Sequence, residues 1–122
     1  MEAKVNQIVS SLIKKTSEKK ATWKESSTKG EYKILFDGAT LTIGCFKDAY
    51  GKFYYSLKIF NNEGRAVVNE SAYAGFPSSQ PLIELFSAAQ ESSLRKNDTL
   101  SSIIEQLNQD IVGGNEERDF PF

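Results

Sequence analysis

The chain has 122 residues, enough for one hydrophobic core and too few for two independent ones. Its 39% hydrophobic and 25% charged residues exclude a disordered or membrane-buried chain, and its single cysteine, Cys45, excludes an internal disulfide or a cysteine-rich zinc site. It has no histidine and a net charge of −1, so hydrolase triads and histidine-based metal centres are excluded as well.

The charge is unevenly spread. Residues 1–33 carry eight lysines against four glutamates, net +4, and the remainder of the chain is net −5. Such asymmetry predicts a polarised surface if the two segments fold to different sides. No apolar run is long enough to cross a bilayer, and the N-terminal residues lack the pattern of a signal peptide, so a cytoplasmic protein with no membrane partner is expected.

In chain order, Val5, Ile8, Val9, Leu12 and Ile13 repeat at the spacing of one helix face and predict a helix over about residues 2–17. A polar stretch follows, in which Trp23 is the one large apolar side chain and marks a first edge strand over about residues 21–26. The next part, from Glu31 to Val68, contains eight of the chain's thirteen phenylalanine and tyrosine residues. Period-two alternation predicts strands over Glu31–Phe36, Ala39–Lys47 and Phe53–Asn61, with a fourth beginning near Arg65 and extending toward Tyr73. Asp37-Gly38, the loop of residues 48–52 and the Asn61-Asn62-Glu63-Gly64 run supply the turns.

After a Gly/Pro/Ser loop, Pro81 suits the first turn of a helix whose stripe is Leu82, Leu85, Phe86 and Ala89, reaching about residue 94. Asn97 or Asp98 caps a further helix in which Leu100, Ile103, Ile104, Leu107 and Ile111 repeat until Gly113-Gly114 ends it. The expected fold is α+β: an N-terminal helix, a four- to five-stranded antiparallel meander, and two C-terminal helices packed on the sheet. Residues 1–114 are expected to form the single domain, and residues 115–122 an acidic tail that frays by default; its Phe120-Pro121-Phe122 end is the alternative, a short aromatic motif able to dock in a groove of the same or a neighbouring molecule.

No phosphate loop, dinucleotide fingerprint, calcium loop or zinc motif is present, and no cofactor or metal is expected. Cys45 falls on the apolar face of its strand and reads as a small hydrophobe. The strand Phe53–Asn61 carries aromatic groups on both faces, so each face requires a cover: helices on both sides, or a second copy of the chain on one. The candidate binding residues are Tyr54, Lys58 and Phe60, with Phe46, Lys33 and Lys47 on neighbouring strands. Left open, such a face offers rings for stacking and lysines for phosphates, as single-strand nucleic-acid modules do. An acidic isoelectric point of about 5.5 weighs against that alternative. The expectation is a small non-catalytic binding or regulatory module of adaptor, inhibitor, immunity-like or chaperone-like type. It would recognise a protein or small ligand and self-associate.

Overall fold

The computed structural model describes residues 2–96 and, beyond them, residues 103, 104, 106 and 107. The elements are α1 (Ala3–Ser17), β1 (Lys24–Glu25), β2 (Glu31–Phe36), β3 (Ala39–Lys47), β4 (Phe53–Asn61), β5 (Ala66–Tyr73) and α2 (Gln80–Lys96), with a 3-10 turn at Pro77–Ser79 before α2. The five strands form one antiparallel sheet in sequence order, so the α+β meander is as expected. One C-terminal helix is defined where the sequence predicts two. Of the second, Ile103, Ile104, Gln106 and Leu107 are helical and exposed, and the rest of it, like the tail with Phe120 and Phe122, lies outside the described residues.

β2, β3 and β4 have the bounds their alternation predicts, because turn chemistry agrees with the period-two pattern at each end. The β3–β4 and β4–β5 loops are built alike. In the first, Asp48 Oδ1 accepts hydrogen bonds from the backbone N–H of Tyr50 and of Lys52 at 2.8 and 2.9 Å. In the second, Asn61 Oδ1 accepts from Glu63 and Arg65, both at 3.0 Å. A glycine three residues after each Asx residue, Gly51 or Gly64, takes the left-handed φ that closes the loop.

The core lies between the sheet and the helices. Leu41, Ile43 and Leu57 in the sheet pack with Leu82, Leu85 and Ala89 of α2, flanked by Tyr32, Tyr55, Ile59 and Phe86. Burying each of the large aliphatic chains contributes roughly 1.5–3 kcal/mol. Phe86 sits between two rings, with centroids 5.6 Å from both Tyr32 and Tyr55. α1 packs mainly on α2 and buries Val5, Val9, Leu12 and Thr16. Ile8 belongs to the predicted stripe yet is 38% exposed, because four buried positions at i, i+4, i+7 and i+11 already fill the contact.

Trp23 joins these parts. It is fully buried, its indole N–H donates to Thr16 Oγ1 at 3.0 Å, and its backbone N–H donates to Ser92 Oγ of α2 at 3.2 Å. That second bond draws the chain from the sheet toward α2, which explains why β1 has two residues where six were expected. The two described helices lie on the same face of the sheet, the one bearing Ile34, Leu41, Ile43 and Leu57. Helical cover on both faces, the arrangement expected from the aromatic pattern of β4, is not seen among the described residues. At the centre of the second face lie Thr42 and Ser56, both buried.

Candidate functional site

Strand register determines which predicted residues share the second face. Tyr54 lies opposite Phe46 on β3 and opposite Tyr73 on β5. The three rings make a continuous row, with both centroid separations 5.8 Å. Gly44 is necessary to this row: the ring of Phe46 folds back over it, and a β-carbon there would stand 2.5 Å from Cζ of Phe46. Phe60 shares the face, opposite Thr40. Lys47 does not, because it is one residue from Phe46 and so has the opposite parity. It pairs with Phe53, and its Nζ lies 5.0 Å from that ring's centroid.

Lys33 and Lys58 are brought together from either side of Thr42. Register runs Lys24, Lys33, Thr42, Lys58, Asn69 straight across all five strands. Lys24, Thr42 and Tyr73 were not singled out from the sequence, since cross-strand partners depend on register. Lys24 and Lys33 stand directly opposite each other, an unfavourable like-charge pair. The nearest carboxylate of the next rung on this face, Glu31, accepts a 2.7 Å hydrogen bond from Ser26 Oγ.

At the end of the aromatic row, Tyr73 lies beside Asp48. Hydrogen bonds from the backbone N–H of Lys52, then of Tyr50, and from the Tyr73 hydroxyl hold the Asp48 carboxyl below its ordinary value, outweighing partial desolvation. The same bond raises the Tyr73 phenol, since the carboxylate disfavours a second negative charge. On the helix face, burial raises the Tyr55 phenol, with Cys45 opposite it in the ladder as a further cause.

A second feature has no local signature in the sequence. Between α1 and the edge of β2 runs a groove of about 910 Å³, with Ile8, Leu12, Ile34, Leu35 and Phe36 providing its apolar surface. It exists because the chain leaves the edge of β2 at Trp23. Ser26 N–H donates to Glu31 O, so by alternation the backbone of Leu35 also points outward, past the end of β1. Lys4, Lys15, Lys20, Lys24 and Lys33 line the groove, and among the described residues no acidic side chain lines it. Among the described residues one of these lysines is in an ion pair, Lys20 with Glu18 at 3.7 Å.

Comparison with protein-family models, with curated proteins and with solved structures finds no match to this chain. Among the described residues no cluster of three or more His, Cys, Asp or Glu is placed to hold a metal ion, and no helix is long and apolar enough to cross a membrane.

Proposed function

We propose that the protein is a non-catalytic cytoplasmic binding module that captures an acidic, amphipathic helix of a partner protein in the groove between α1 and β2. The observation that carries this is the pairing of an apolar floor with five lysines and, among the described residues, no carboxylate. Charge placement separates a peptide from a small anionic ligand. Lys4 and Lys15 are eleven residues apart on α1, roughly 16 Å, while Lys24 and Lys33 lie on the opposite wall. A lipid-like anion presents one charged head and needs cations at one end. A helix with acidic residues on both sides of an apolar stripe meets cations along both walls.

The test is fluorescence anisotropy with a labelled helical peptide carrying leucines at i, i+3, i+4 and i+7 and glutamates elsewhere. Affinity should fall as salt rises and should be lost in Lys15→Glu and Ile8→Glu, whose exposed positions leave folding intact. Equal binding of the same peptide with lysines for glutamates would refute the reading.

The row of Phe46, Tyr54 and Tyr73, with Lys33, Lys58 and Phe60 on the same face, favours a second reading, single-stranded nucleic-acid binding. Labelled oligonucleotides titrated across a salt series decide it, and no binding at low salt dismisses it. Self-association through the outer edge of β5, which pairs with no other described strand, completes the proposal. Light scattering across a dilution series reads it directly.

A further inference from the structure

We infer that the second face of the sheet holds an oxyanion site centred on the hydroxyl of Thr42, with the ammonium groups of Lys33 and Lys58 on its flanks and a phosphate-class anion as ligand. Lys33 borders the groove as well, but Thr42 and Lys58 do not, so variants at those two positions test this site apart from the groove.

The hydroxyl is the first observation. Thr42 is 7% exposed, and its Oγ1 is fully buried with no hydrogen-bond partner. A buried polar atom without a partner is disfavoured in a folded protein and is among the few that require an explanation. Its directly adjacent same-face neighbours in the sheet are Lys33 and Lys58 across the ladder, and Thr40 and Gly44 along β3, with the ring of Phe46 lying over Gly44; Leu35, Phe60, Glu31 and Ser56 stand on the diagonals. Of the directly adjacent residues only the lysines have long flexible stems, which can cover apolar surface while their heads stay in water.

The second observation is the charge of the rung. Lys33 and Lys58 flank Thr42 directly, Lys24 stands beyond Lys33, and the rung ends at the neutral Asn69. Among the described residues neither Lys33 nor Lys58 is in an ion pair. The Lys24–Lys33 repulsion is thus relieved by no ion pair among the described residues, and an anion lying over Thr42 would relieve it.

Together these features suggest a closed and an open state. In the first the hydroxyl is shut off from solvent, and the stems of the flanking lysines are the groups placed to do so. An arriving anion draws both ammonium groups around itself, the stems swing outward, and Thr42 Oγ–H donates to one of its oxygens. A hydroxyl donor between two ammonium groups suits a tetrahedral oxyanion with several acceptor oxygens, which chloride lacks.

The experiment is a titration of the full chain with inorganic phosphate, followed by ¹H–¹⁵N spectra, against sodium chloride at matched ionic strength. Saturable shifts at Thr42, Lys33 and Lys58 with phosphate alone are expected. Thr42→Val, which keeps shape and removes the hydroxyl, should weaken phosphate roughly tenfold, the loss of one charge-assisted hydrogen bond. Lys58→Gln, at a partly exposed position, should weaken it comparably. Parallel titrations with a nucleoside monophosphate and a single-stranded oligonucleotide identify the source, since tighter binding of either places the phosphate within a nucleotide. Identical shifts with chloride, or unchanged affinity in Thr42→Val, would overturn the inference.

Discussion

The indole N–H of Trp23 and the hydroxyl of Thr16 meet at 3.0 Å, inside the core and at the last turn of α1. Replacing Thr16 with Val leaves that N–H buried and unpaired, at a cost of about 1–3 kcal/mol. Trp23 is the only tryptophan and fully buried, so its fluorescence during urea unfolding measures the loss without an added probe. A midpoint for Thr16→Val equal to that of the parent would show that the bond contributes nothing.

The Lys24–Lys33 pair should be easy to improve. Lys24→Glu turns a repulsive cross-strand pair into an attractive one and should raise stability by roughly 0.2–1 kcal/mol at low salt. The gain should shrink as salt screens it, which thermal melts at two ionic strengths will show. The same change should weaken acidic-peptide binding in the groove, so stability and function move in opposite directions.

Gly44→Ala should destabilise through one specific neighbour. The new methyl collides with the Phe46 ring at 2.5 Å and approaches the Gly30 carbonyl oxygen at 3.3 Å. Moving the ring breaks its contact with Tyr54, and overpacking of this kind costs about 1–3 kcal/mol. In a Phe46→Ala background most of that cost should vanish. Urea denaturation of the four proteins in the cycle measures the coupling, and simple additivity would disprove the assignment.

Asp48 and Tyr73 give stability a pH dependence at both extremes. The carboxyl's folded-state pKa is lowered, so its contribution is present above the ordinary value of 3.8 and is lost as pH falls through the folded value. The phenol's is raised, so its contribution is complete below the ordinary value of 10.0 and is lost as pH rises through the folded value. Asp48→Asn should flatten the acid limb and return the Tyr73 titration toward the ordinary value. Stability against pH and the ultraviolet titration of tyrosine follow the two effects separately.

Much of the architecture is readable from residue order because the relevant forces are local. Alternation and Asx-Gly turn chemistry define β2, β3 and β4, and the same alternation places Phe46, Tyr54, Lys33, Lys58 and Phe60 on one face. Lys47, a further candidate in the sequence, is assigned by parity to the other side. What the sequence hides depends on long-range partners. The short β1 results from a bond between Trp23 and Ser92, 69 residues apart. Tyr73 and Thr42 acquire meaning only through register. The groove forms where α1 and β2 diverge, and no stretch of sequence records that divergence. Ile8 looks like a core residue because helical spacing alone does not say which of two adjacent stripes is covered.

The two-residue length of β1 also affects how copies of this protein can meet. A sheet with two full edges can add neighbours at both and grow without limit. Here one margin is interrupted and set with lysines, whereas β5 presents an eight-residue edge whose outward-facing backbone groups pair with no other described strand. If two copies pair through β5, each uses the only full edge among its described residues, and the pair offers no second full edge from which a fibre could extend.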